Sequence, residues 1–197
     1  MSSLPPDSPL PGAKPYIGEG ATTPYPRREV LRRLLWSLVQ ATLFRWSPRQ
    51  LHGWRLMLLR IFGADIPDPS TVEIYPTAQV IFPWKLSLQG GVMVGPYVRL
   101  YNLAPISLRY GANISQYSHL CSGSHDFTRW SMPLVVAPIV VGENVWIAAD
   151  VFVGPGVTIG ELCVVGARSV VVQDLPPRMV CAGQPCRPIR PRSEPTR

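Results

Sequence analysis

Of the three histidines in the chain, His125 occupies the most suggestive place, at the end of Cys121-Ser-Gly-Ser-His125 and at the root of a fifteen-residue stretch, Ser124 to Pro138, that interrupts an otherwise regular pattern. Imidazole has an unperturbed pKa of about 6.5, so near neutrality it can take up or release a proton. His52 falls in an amphipathic segment and His119 on an outward position of the pattern, where structural or solvated roles suffice. Cys121 raises a thiol–imidazole nucleophile pair, but the pattern accepts a small residue there, which explains Cys121 more simply. Asp126 or a backbone carbonyl could hold the imidazole tautomer, and plain solvation is an equal reading of Asp126.

The elements that must position His125 follow from a six-residue repeat. It runs unbroken as Ile139-Val-Val-Gly-Glu-Asn, Val145-Trp-Ile-Ala-Ala-Asp, Val151-Phe-Val-Gly-Pro-Gly, Val157-Thr-Ile-Gly-Glu-Leu, Cys163-Val-Val-Gly-Ala-Arg and Ser169-Val-Val-Val-Gln-Asp. Aliphatic third positions (Val141, Ile147, Val153, Ile159, Val165, Val171) alternate with mostly small fourth ones (Gly142, Ala148, Gly154, Gly160, Gly166, Val172). With a few residues between blocks, the same template fits Val72 to Ile74, Ala78 to Val80, Leu86 to Leu88, Val92 to Val94, Val98 to Leu100, Ile106 to Leu108, Ala112 to Ile114 and Ser118 to Leu120, fourteen hexads in all. A period of two inside each hexad makes short strands, and a corner every six residues winds them into a triangular coil, a parallel β-helix. First and third positions should point inward, and the fourth should lie at the bend, where a side chain would crowd. Residues 64–174 contain no helical-period segment, which excludes doubly wound sheets and βα barrels.

Four segments result. Residues 1–26, with seven prolines, read as an extended arm. Residues 27–63 read as a helical pair: Val30, Leu31, Leu34, Leu35, Leu38, Val39 and Leu43 recur at helical spacing opposite an arginine-rich side, and Ser47-Pro48 offers a cap and first turn for a second helix reaching Gly63. Residues 64–175 form the coil with its loop 124–138, and Pro176-Pro177 should end it before a basic tail, 176–197.

The 197 residues suit one domain, and 46% hydrophobic against 16% charged residues supply its core. The net charge of +7 collects at the two ends; Arg129 is the one cation between Arg109 and Arg168, so a nucleic-acid stripe is not expected. Four cysteines without a C-x-x-C pair, and a polar, proline-rich start, point to reduced thiols in the cytoplasm. The longest apolar run, Leu34 to Phe44, is too short and too interrupted to span a membrane.

The hexads, the Gly-Ser-His-Asp loop and the closing Asp174-Leu-Pro-Pro-Arg-Met-Val-Cys-Ala-Gly-Gln-Pro-Cys-Arg-Pro-Ile-Arg190 resemble the hexapeptide-repeat acyltransferases. Within them the chain looks most like the colanic-acid-type acetyltransferases of exopolysaccharide biosynthesis, through Leu-Phe-Arg-Trp-Ser-Pro-Arg (43–49), Tyr-Asn-Leu (101–103), Ile-Ser-Gln (114–116) and Trp-Ile-Ala-Ala-Asp (146–150). The resemblance covers about residues 27–191 and implies a mainly β fold, a left-handed parallel β-helix. It further implies a homotrimer that binds acetyl-coenzyme A between neighbouring coils.

By the same resemblance His125 is the general base that takes a proton from a sugar hydroxyl as it attacks the thioester, without an acyl-enzyme. Ala149, Ala167 and Val172 would line the cofactor groove, and Arg187 and Arg190 would meet its phosphates. Trp146 could wall that groove or sit at a trimer contact. Asn102, placed in an outward loop, is the candidate acceptor contact beside a plain turn role. Val172 stands where many relatives carry a hydroxyl, and Arg168 where glycine is frequent, so the cofactor end departs from the pattern.

The expected function is O-acetyl transfer to a sugar of a lipid-linked exopolysaccharide intermediate. The alternatives are an antibiotic O-acetyltransferase of the same fold and a non-catalytic scaffold. The three-histidine zinc site of trimeric β-helices resembling gamma-class carbonic anhydrases is not expected, since the coil holds two histidines and the loop needs one. For residues 27–62, packing on the coil or on a neighbouring subunit is preferred over contact with an anionic membrane surface.

Overall fold

A computed structural model describes residues 27–128 and 132–193. The expectation for the arm 1–26 lies outside those residues.

The hexads wind into a solenoid with three parallel faces. The first face contains Glu73–Ile74, Met93–Val94, Asn113–Ile114, Trp146–Ile147 and Val164–Val165 in parallel register. The second contains Gln79–Val80, Arg99–Tyr101, His119–Cys121, Phe152–Val153 and Val170–Val171. The third contains Leu86–Leu88, Ile106–Leu108, Ile139–Val141 and Thr158–Ile159. Register pairs such as Val94↔Ile114 and Ile147↔Val165 join equivalent hexad positions, so like stacks on like. First-position Ile139, Val145, Val151, Val157, Cys163 and Ser169 are buried, as are the third-position residues above them. Burial pushes the thiols of Cys163, Cys181 and Cys186 upward, which keeps them protonated members of this core.

Fourth positions are crowded as the sequence reading expects, and the structure adds where the turn and the crowding come from. Left-handed backbone falls on the sixth hexad position, at Asn144, Asp150, Gly156, Leu162 and Arg168, not on the fourth. Fourth-position glycines answer a different demand, close approach of the next coil. A Cβ on Gly142 would lie 2.7 Å from the Glu161 nitrogen, and one on Gly160 2.5 Å from the Pro177 nitrogen.

The coil also continues past Pro176-Pro177. Met179–Gly183 joins the first face in parallel beside Val164–Val165, then turns back through Cys186–Pro191 as an antiparallel hairpin. The prolines do not end it because Leu175 and Arg178 on either side make the ladder bonds, to Thr158 and Glu161, leaving no amide bond for either proline to supply.

At the other end, α1 (Arg27–Val39), a π-turn (Gln40–Phe44) and α2 (His52–Ile61) close the first coil. Each face of that coil would present open backbone groups, and each is met. The Trp36 indole donates to the Val80 carbonyl at 2.7 Å, and Gln40 Oε1 accepts from the Val80 amide at 2.7 Å. Fully buried Arg55 donates to the Ile74 carbonyl at 2.7 Å, while Asp65 bridges Leu86 and Leu88. Ser47 and Pro48 do not cap α2, which begins at His52. The Ser47 hydroxyl donates to the Phe44 carbonyl and accepts from Arg55, so it closes the preceding turn.

Candidate active site

The interruption of the repeat is a two-stranded arm, Gly123–His125 antiparallel to Leu134–Val136, leaving the corner between the second and third faces. Its root is anchored by Ser122, whose buried hydroxyl bonds to the Ala104 amide and the Tyr101 and Ala104 carbonyls. Gly123 lies where a Cβ would meet Leu103 at 2.6 Å, so the arm departs in close contact with the coil below.

His125 ends the outgoing strand, exposed, opposite Leu134. Its Nδ1 lies 2.7 Å from the Met132 carbonyl oxygen. A carbonyl only accepts, so Nδ1 carries the proton, and the basic lone pair of the neutral ring is on Nε2. The Met132 carbonyl thus fixes the tautomer, and Asp126 Oδ1 accepts from the amide and hydroxyl of Thr128 and closes the turn. The Cys121 thiol donates to the Gly123 carbonyl.

Ala149 and Ala167, one coil apart, line the same cleft of ≈ 420 Å³ with Tyr117, Asp150 and Arg168 at the corner between the first and second faces. The backbone is presented directly there, and exposed Arg168 and Asp150 pair across it at 3.5 Å. The terminal hairpin seats at the top of this corner: Ala182 lies against Gly166, and Gln184 donates to the Arg168 carbonyl at 2.7 Å. Arg187 pairs with Ala182 in the hairpin register and Arg190 with Val180, both arginines exposed. Ala149, Ala167 and the hairpin that carries the arginines thus share one edge of the second face. His125 leaves from its other edge, and exposed Val172 follows the second-face strand Val170–Val171 toward that same edge.

Trp146 projects outward as expected, its indole N–H 3.0 Å from the Ser115 hydroxyl. Asn102 is not outward. It is fully buried, its Oδ1 accepting from the Ile81 and Phe82 amides and its Nδ2 donating to the Phe82 carbonyl at 2.6 Å. Both ends of the amide are engaged in tying two coils together beneath the arm.

A second cleft of ≈ 550 Å³, missed from sequence, runs along the second face and shares Tyr117 and Asp150 with the first. Tyr97 and Tyr117 stack there at 5.1 Å, and His119 stands between the rings of Tyr101 and Phe152. The signal was available: Tyr97, Tyr117, Asp150 and Arg168 each precede a second-face hexad, forming one column. The buried His119 Nε2 has no hydrogen-bond partner among the described residues. Burial, then the charge of Arg99, holds this imidazole below its ordinary pKa.

The family model described as bacterial transferase hexapeptide (six repeats) matches residues 138–173. The protein named "Putative colanic acid biosynthesis acetyltransferase WcaF" from Escherichia coli (strain K12) is 49% identical over 160 residues, 81% of this chain and 87% of that one. A galactoside O-acetyltransferase of the same organism is 57% identical over 53 residues, 27% of this chain and 26% of that one. Among solved structures, a hexapeptide-repeat-containing acetyltransferase from Vibrio cholerae O1 biovar eltor, complexed with acetyl coenzyme A, superposes with a TM-score of 0.76 at 25% identity, covering 90% of this chain and 94% of that one.

Proposed function

This chain belongs to the hexapeptide-repeat acetyltransferases, and on that premise we propose that it moves acetyl from acetyl-coenzyme A to a hydroxyl of a sugar in exopolysaccharide biosynthesis, with His125 as general base. The observation that carries the reading is the bond from His125 Nδ1 to the Met132 carbonyl, which assigns the basic lone pair to Nε2. A sugar hydroxyl is a weak nucleophile at neutral pH. Nε2 takes its proton as the oxygen attacks the thioester carbonyl, the carbon–sulfur bond breaks, and the imidazolium returns the proton to the departing sulfur. No covalent acyl-enzyme is needed.

The donor's fit is supported by the cleft at Ala149 and Ala167, where small side chains let a slender pantetheine arm reach the backbone. Arg187 and Arg190 in the hairpin above that corner suit its phosphates, with Val172 on the far edge of the same face. Because His125 and the alanine cleft flank opposite edges of the second face, the reading requires a homotrimer in which the arm of one protomer meets the cleft of its neighbour. Exposed Phe127, Leu134, Val135 and Val136 on the arm give that contact an apolar component. A coenzyme A thioester sets the reaction in the cytoplasm, and the similarity to the colanic acid protein supports an exopolysaccharide sugar as acceptor.

The test is thiol release from acetyl-coenzyme A in the presence of nucleotide- and lipid-linked sugars, comparing the native chain with His125→Ala. Loss of a general base should lower turnover by about 10²–10⁴-fold. Undiminished turnover in the variant would remove His125 from the mechanism.

A further inference from the structure

The first helix of the cap is turned inside out. On α1, the buried side is Trp36, flanked by Arg32 and Arg33, which stack over Trp84 at 4.2 Å and Phe82 at 5.0 Å. Leu31, Leu34, Leu35 and Leu38 lie on the opposite side of the helix and are exposed, Leu34 and Leu38 at 63% each. On α2, Arg55, Leu56, Leu58 and Leu59 face the coil, and Trp54, Met57 and Ile61 face away. Between the helices Leu43 is exposed, and Trp46 is 81% exposed beside the Arg45 guanidinium. Of the two packing expectations for the apolar stripe, the one on the chain's own coil is corrected, because Trp36, Phe44 and Phe62 fill that space and the arginines cover its rim; packing on a neighbouring subunit is an outcome of the test below.

Charge collects on the same element. Residues 27–63 hold eight arginines and one acid, Glu29, while the rest of the chain holds eleven cations and eleven acids. The cap thus carries +7 while the rest of the chain balances to zero; Arg55 is buried and Arg32 and Arg33 stack on the coil, which leaves Arg27, Arg28, Arg45, Arg49 and Arg60 exposed for an outside partner. Its outer side also lies at the end of the solenoid: Val80 and Ile74 offer it the backbone groups that face away from the next coil.

We propose that the outer side of residues 27–62 is a docking surface for an anionic lipid bilayer. The leucines and tryptophans enter the headgroup boundary, and the surrounding arginines meet lipid phosphates. Among the described residues no helix is long and apolar enough to cross a membrane, so the cap lies on the surface. Charge decides against the other occupants. A second copy would bring two arginine-rich surfaces together, and the arm 1–26, with one lysine and two acids, brings almost no neutralising charge. The inference does not depend on acetyl transfer.

The test is co-sedimentation of the full chain with phosphatidylcholine vesicles containing about one third phosphatidylglycerol, against pure phosphatidylcholine, at low and high salt, with the solution mass measured without lipid. The native chain should partition to the anionic vesicles, less so at high salt, with a blue shift of tryptophan emission that Trp46→Phe reduces. Each arginine near such a surface contributes about fivefold, so Arg27→Gln/Arg28→Gln/Arg45→Gln should weaken binding by about a hundredfold. Leu34→Ser/Leu38→Ser should weaken it by at least about tenfold while leaving the melting temperature unchanged. Absence of binding to anionic vesicles, or equal binding by both variants, would overturn the proposal. So would a solution mass that falls in the leucine variant, which would make the occupant a second copy.

Discussion

Replacing Asn102 by alanine separates a structural role from an acceptor contact. The side chain accepts from the Ile81 amide at 3.2 Å and the Phe82 amide at 2.9 Å, and donates to the Phe82 carbonyl at 2.6 Å, all inside the coil. The Ile81 amide also reaches the Leu100 carbonyl, and the Phe82 carbonyl also receives the Lys85 amide, so the heaviest loss falls on the Phe82 amide. Stranding a buried donor costs about 1–3 kcal/mol, and the lost donation from Nδ2 adds about 1 kcal/mol. The sum, about 2–4 kcal/mol, corresponds to a fall in melting temperature of about 4–16 °C for a chain of this size. Differential scanning calorimetry gives that number, and acceptor titration at saturating donor gives KM. The structural account predicts the thermal loss with acceptor KM within about twofold. A normal melt with acceptor KM raised about tenfold would refute it and return Asn102 to the acceptor site.

Three further outcomes follow from the same geometry. Ala149→Leu or Ala167→Leu should obstruct the ≈ 420 Å³ cleft at its alanine wall and raise KM for acetyl-coenzyme A by about tenfold or more with little thermal effect, read from donor titration and melting curves. Gly160→Ala should lower thermal stability by about 1–3 kcal/mol, because the new Cβ meets the backbone of Pro177 with no side chain able to swing aside. His119 has a lowered pKa in the folded state, so the unfolded chain binds its proton more readily and stability must fall as pH drops below about 6.5. His119→Phe should flatten that acid limb in melts between pH 7.5 and 5, and an identical limb in both proteins would count against the burial argument.

What was legible in the sequence was whatever repeats. Val141, Ile147, Val153 and their equivalents announced the inward columns, because a strand period of two inside a hexad leaves one arrangement for a triangular coil. The place of His125 on an arm leaving the coil was legible because it sits where the repeat stops. The crowding at fourth positions such as Gly160 was legible, but its source, the approach of Pro177 one coil on, was not, since sequence reports only that the residue is small. Asn102 was misplaced because its buried hydrogen bonds run to residues twenty positions earlier, a relation that no local pattern carries. The helical spacing of Leu31, Leu34 and Leu38 was read correctly, yet spacing does not say which side of an amphipathic helix faces inward when arginines can stack on Trp84 and Phe82. The ladder through Leu175 and Arg178 shows equally why two prolines need not end a coil.

The central claim is that one protomer's His125 serves its neighbour's alanine cleft, and mixed trimers test it most directly. Chains carrying His125→Ala and chains carrying Ala167→Trp, each inactive alone, are combined in equal amounts, unfolded and refolded together, and assayed for acetyl transfer. If each site draws its base and its cleft from different protomers, about a quarter of the sites become intact and activity returns to about a quarter of the native value. A mixture as inactive as its two components would contradict the account.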